Sequence, residues 1–113
     1  MMRSLSSVQL VVTPVDGRLG VEGLSQFVQN TLGKAPCDGT VFVFTNRRHS
    51  RLKLLCWDGN GVWLAQRRLH RGRFVWPSPG ATQLTLDEAQ WCYLMDGIDW
   101  QRVNVAAPSH WRV

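Results

Sequence analysis

The sequence predicts a single small α+β domain, an antiparallel β-meander sheet packed with two α-helices. Three observations carry that expectation. Short β-prone runs follow one another between Thr40 and Pro77, joined by glycine-rich or basic turns. One helical periodicity lies before this stretch and another after it. The chain has 113 residues, 44% of them hydrophobic, enough for one core and too few for two.

From the N-terminus, residues 1–7 read as a tail before the domain, which is expected over 8–99. Val8–Thr13 (VQLVVT) is β-branched and stops at Pro14, so a strand is expected. Pro14 to Gly17 reads as a turn, with Asp16 available to cap a following helix. Over Arg18–Leu32 the period lengthens: Val21, Leu24, Phe27, Val28, Thr31 and Leu32 share one helical face, and Gly33 stands at the C-cap. After a loop over Lys34–Gly39, the continuous apolar run Val41–Phe44 predicts a strand covered on both faces. Thr45–Ser50 is a polar turn and Leu52–Trp57 the next strand.

Asp58-Gly59-Asn60-Gly61 holds two overlapping hairpin signals, Asp-Gly and Asn-Gly. A two-residue loop at either site, or a four-residue loop using both, sets odd positions of the first strand opposite even positions of the second. Opposed side chains share a face. One face then collects Leu52, Leu54 and Cys56 with Trp63, Ala65, Arg67 and Leu69, and reads as core with one edge Arg. The other collects Arg51, Lys53, Leu55 and Trp57 with Val62, Leu64, Gln66 and Arg68, apolar near the turn and basic at the open end.

Arg71–Trp76 predicts a further short strand, closed by Pro77. Leu84–Met95 predicts the second helix, with Thr85-Leu86-Asp87-Glu88 in the form of a capping box and Gly97 ending it. Residues 100–113, with Trp100 and Trp111, read as a C-terminal tail.

Charge is the strongest functional signal. Eight of the thirteen Lys and Arg lie between Thr40 and Pro77 (Arg47, Arg48, Arg51, Lys53, Arg67, Arg68, Arg71, Arg73), against one acid, Asp58. A pI near 9.9 favours polyanionic partners, nucleic acid first. Arg47, Arg48 and Arg51 on a turn, with Lys53, Arg68 and Arg73, are candidates to neutralise phosphates, and Trp57 to stack on an unpaired base.

Catalytic chemistry finds little support. His49, His70 and His110 are scattered, and the serines form no nucleophile elbow. No three carboxylates have the spacing of a two-metal nuclease. Cys37, Cys56 and Cys92 are odd in number without CxxC spacing, so neither a disulfide framework nor a zinc site is expected. No cofactor and no metal are anticipated. The apolar run before Pro14 is too short for a signal peptide or a membrane span, which makes cytoplasm the default.

The segment FVFTNRRHSRLKLLCWDGNGVWLAQRRLHRGRFVWP resembles the small TnpB (second open reading frame) proteins of the insertion-sequence-66 family of bacterial transposable elements. Their pattern is an apolar strand ending in F-x-N-R-R, a basic R-L-K segment, W-D-G-N-G, and K/R-R-L-x-x-G-R-F-x-W-P. It is matched by Phe44, Asn46, Arg47, Arg48, Arg51, Leu52, Lys53, Trp57 through Gly61, Arg68, Leu69, Gly72, Arg73, Phe74, Trp76 and Pro77. Asp16, Arg18, Gly23 and Leu24 match the family's D-x-R-x-x-x-x-G-L motif. Gly17 and His49 depart from it, where a bulky residue and a third basic residue are common. The resemblance implies an accessory protein of transposition, without catalysis of its own, working beside a larger DDE-type transposase. Two roles follow as expectations: binding DNA at the element ends, or docking on the transposase as an adaptor with exposed Trp anchors and no direct DNA contact.

Overall fold

The computed structural model describes residues 7–33 and 39–102. Most of the expected N-terminal tail, most of the Lys34–Gly39 loop, and Trp111 lie outside the described residues.

Five strands form one sheet: β1 (Val8–Val11), β2 (Val41–Thr45), β3 (Arg51–Trp57), β4 (Val62–Arg68) and β5 (Gln83–Leu86), in the order β4-β3-β2-β1-β5. Helix α1 (Val21–Phe27) continues into a wider π-helical turn, Val28–Leu32, which Gly33 closes in the left-handed conformation at φ 64. Helix α2 spans Glu88–Met95, and a 3₁₀ turn follows at Trp100–Arg102. The α+β class stands, with a refinement of the sheet. β1 and β2 pair in parallel while all other neighbours are antiparallel, so the sheet is mixed. The cause is the helix between them: a strand, a crossover helix and a second strand return the chain in the same direction.

The two faces of the sheet have separate cores. Val8, Leu10, Val41, Val43, Leu52, Leu54, Cys56 and Leu86 point to one face, where Leu94, Phe74, Trp76 and Trp100 cover them. Val11, Phe42, Phe44 and Leu55 point to the other, against Leu24 and Val28 of the first helix. Coverage on both sides explains why β2 is buried at every position and reads as a continuous apolar run.

The hairpin parity holds. Trp57 pairs with Val62, Cys56 with Trp63, Leu54 with Ala65 and Arg51 with Arg68, around a four-residue loop. A primed two-residue turn does not form. Of Asp58–Gly61 only Gly59 takes a positive φ, at 93. The Asp58 carboxylate instead accepts from the amides of Asn60 and Gly61 at 3.0 and 2.9 Å, and its second oxygen accepts from Trp63 Nε1 at 3.0 Å.

Four expectations need correction. Asp16 does not cap α1; its carboxylate holds Arg18 by the main-chain amide and the guanidinium, and Gly20 occupies the N-cap without a side-chain bond. Thr31 is exposed, because the π-helical turn shifts it off the buried face. The second helix starts later than expected: Gln83–Leu86 is an edge strand antiparallel to β1, and the capping box is made by Asp87 and Gln90. Arg71–Trp76 is not a strand. Phe74 and Trp76 are buried as its alternation implies, but the segment crosses one face of the sheet as a strap. Its bonds go to irregular partners: Phe74 N–H donates to the His49 carbonyl at 2.8 Å, and Trp76 Nε1 donates to the Val12 carbonyl at 2.8 Å. Trp100, expected in the tail, is buried and donates Nε1 to the Val75 carbonyl at 2.7 Å, which fastens the strap from outside.

Candidate nucleic-acid interface

The turn between β2 and β3 is built by one side chain. Asn46 Oδ1 accepts from the amides of Ser50 and Arg51 at 2.9 and 3.2 Å, while its Nδ2 donates to Ser50 Oγ at 2.9 Å. The amide of His49 closes the turn on the Asn46 carbonyl at 3.0 Å. His49 takes φ 56, a conformation costly for a side chain with a Cβ. The geometry leaves Arg47 and Arg48 exposed at the tip. Asn46 was not among the residues expected to matter. Its place in F-x-N-R-R, directly before two arginines at a strand end, was the available signal.

Beside this turn lies a cleft of about 470 Å³ lined by Asn46, Arg48, Ser50, Arg51, Arg68, Gly72 and Arg73. Four guanidinium groups share it and no carboxylate lines it. Arg51 and Arg68 are direct cross-strand partners, a like-charge pairing that costs stability. Among the described residues none of these four arginines, nor Arg47, makes an ion pair. A second opening of about 450 Å³ adjoins it through Asn46 and Arg48, and there Arg47 faces Asp16 and Gly17. Asp16 is firmly ionised there, its pKa lowered to about 2 by the hydrogen bonds from Arg18, and its charge is offset by the Arg18 guanidinium bonded to both oxygens. A Cβ on Gly17 would meet Asn46 Cβ at 3.5 Å, an ordinary contact, so a larger residue fits there.

Strand parity separates Arg67 from Arg68. Arg67 turns to the opposite face, where Nε donates to the Met95 carbonyl at 2.6 Å and the guanidinium stands 3.7 Å from Asp96. It caps the C-terminal end of α2, favourable for a cation. Gly97 follows in close contact with the same edge: a Cβ there would lie 2.7 Å from Leu69 Cδ1.

Two residues expected with the basic cluster are elsewhere. Lys53 is only 7% exposed, and its ammonium donates to the Leu19 carbonyl at 2.6 Å. It ties the sheet to the turn before α1. Trp57 is half-buried against the α1-side core at the other end of β3. Six strand steps, roughly 20 Å, separate it from Arg51.

His49 lies at the join between the cleft and a less polar hollow of about 650 Å³ formed with Trp76, Pro14, Pro77 and Pro79. Its ring centroid is 6.0 Å from that of Trp76. Burial, with Arg73 nearby, pushes the imidazole below its usual pKa. Among the described residues no group of three or more His, Cys, Asp and Glu is placed to hold a metal ion. Among the same residues no helix is long and apolar enough to cross a membrane.

The IS66 Orf2-like protein profile matches residues 6–105, nearly the whole described fold. The chain belongs to the IS66 Orf2-like protein family. Membership ties it to insertion-sequence transposition. Two relatives from Sinorhizobium fredii are similar to this IS66 Orf2-like chain. The protein y4hO is 45% identical over 86 residues, covering 76% of this chain and 75% of its own. The protein y4jC is 34% identical over 97 residues, covering 86% and 83%. No solved structure matches.

Proposed function

We propose that this IS66 Orf2-like protein is a non-catalytic accessory component of transposition that holds DNA by its phosphate backbone, in the cytoplasm, beside the larger transposase of its element. The observation that carries this reading is the acid-free cleft in which Arg48, Arg51, Arg68 and Arg73 converge without ion-pair partners. Four cations held together against their mutual repulsion await a polyanion. Guanidinium groups suit phosphate, offering two parallel donors to two oxygens. Arg47, at the tip of the same turn, extends the track. Lys53 and Trp57 are left out of the contact set, since the first is engaged internally and the second is remote.

The competing role, an adaptor without DNA contact, needs exposed Trp anchors. Among the described residues only Trp63 is exposed, at 42%. The DNA reading therefore ranks first.

Titrating labelled element-end duplex across salt concentrations tests it. Four to five neutralised phosphates predict a log–log slope of about −4. A flat slope, or no binding at low salt, refutes the reading.

A further inference from the structure

The edge strands of the sheet are unequal. β5 is four residues long, whereas β4 presents seven residues with β3 on one side only. Among the described residues no main-chain group of β4 bonds to any element but β3. A long open edge is a template for another strand, and proteins usually blunt one with charge along its length. Here the charge is confined to one end. Val62, Trp63, Leu64 and Ala65 are uncharged, Val62 and Trp63 are 40% and 42% exposed, and the cations Arg67 and Arg68 follow.

That asymmetry selects a partner. Laid parallel and in register against a copy of itself, β4 would set Arg67 and Arg68 against their own images. Laid antiparallel about Ala65, it sets Arg68 opposite Val62 and Arg67 opposite Trp63, with Leu64 opposite Gln66. No cation then faces a cation, since each Arg67 stands opposite the uncharged Trp63 and each Arg68 opposite Val62. Sliding the register by four residues toward the C-terminus brings Arg67 against its own image, and by five against Arg68.

We infer that β4 pairs with β4 of a second copy, antiparallel about Ala65, to make one continuous ten-stranded sheet. The inference stands on the edge and its charge pattern, and holds whether or not the arginine cleft binds DNA. It does bear on that cleft. Along the α1-side face the row of side chains becomes Arg51, Arg68, then Val62 and Trp57 of the second copy. At roughly 4.8 Å per strand, that Trp57 lies about 10 Å from Arg68, where within one chain it is remote. Each cleft would gain an aromatic wall from its partner, and the two clefts would sit on one face, related by a two-fold axis.

Position 62 gives a test with two opposite outcomes. The measurement is sedimentation equilibrium of the full chain at about 0.3 M salt, where repulsion between two chains of net charge +5 is screened. The wild type is expected to reach twice the 12.8 kDa of one chain as concentration rises. Val62→Lys places a cation opposite Arg68 twice per dimer and should weaken association about tenfold; Val62→Glu should tighten it about tenfold. Val62 lies in neither core cluster, so both variants should fold, which thermal unfolding verifies. A wild type that stays at one chain mass up to its solubility limit overturns the inference. So does an association that both substitutions leave unchanged or shift in the same direction.

Discussion

Replacing Arg51 by Glu should make the protein more stable and a poorer DNA binder at once. Arg51 and Arg68 are direct cross-strand partners at the open end of the hairpin, with Arg48 and Arg73 lining the same cleft and no carboxylate among them. Arg51→Glu converts a like-charge pair into an opposite one and relieves repulsion from two further guanidiniums. Exposed cross-strand pairs are worth about 0.2–1 kcal/mol, so the swap should add about 1 kcal/mol at low salt. For a domain of this size that raises Tm by roughly 4–8 °C. The gain should fade in about 1 M salt, where the Debye length falls to about 3 Å. In parallel, DNA affinity should fall at least tenfold at low salt, with the salt slope reduced by about 1 to 2. Thermal unfolding at both salt concentrations, paired with the duplex titration, reads both halves. A variant that is destabilised at low salt, or equally stabilised at high salt, would refute the electrostatic account of the cleft. Unchanged affinity would remove the cleft from the DNA contact.

Asn46→Ala deletes three side-chain hydrogen bonds that shape the arginine turn, so it should cost about 1–3 kcal/mol in urea unfolding and weaken DNA binding without changing net charge. Lys53→Met keeps the apolar stem but leaves the Leu19 carbonyl without its ammonium partner; stability should drop by about 1–3 kcal/mol, while DNA affinity stays within about twofold. His49 is held below its ordinary pKa in the fold, so the unfolded chain takes up its proton first as pH falls. Its contribution is therefore fully present above about pH 6.5 and is lost as pH drops from there toward the lower folded value. His49→Asn, which also tolerates the left-handed backbone at this position, should flatten that part of the stability–pH curve measured by denaturation between pH 7 and 5.

The hairpin was legible because its pairing parity is the same for every loop the DGNG turn allows, and that alone separated Arg67 from Arg68. The strap was not, because alternation of Phe74 and Trp76 reports burial on one side and carries no information about main-chain pairing. The late start of α2 was hidden by a competing signal: Thr85 and Glu88 have capping-box spacing, yet Asp87 and Gln90 make the box. Leu84 and Leu86 then alternate along β5 instead of recurring round a helix. The parallel β1–β2 pair follows from strand, helix, strand in the first 45 residues, an order visible in the sequence and outweighed there by the run of hairpins. Within the site, parity placed Lys53 and Arg68 on one face but could not separate an interior position from an end. Burial did that, drawing the Lys53 ammonium into the protein. Strand length could have separated Trp57 from the arginines, since residues at opposite ends of a seven-residue strand cannot share a contact.

The most direct test of the account follows the arginine Nε–H resonances during titration with element-end DNA. Arg48, Arg51, Arg68 and Arg73 should shift together and saturate with one isotherm. Arg18, tied to Asp16, and Arg67, tied to the end of α2, should stay in place. Saturable binding that moves Arg67 or Arg18 while the four cleft arginines remain still would contradict it.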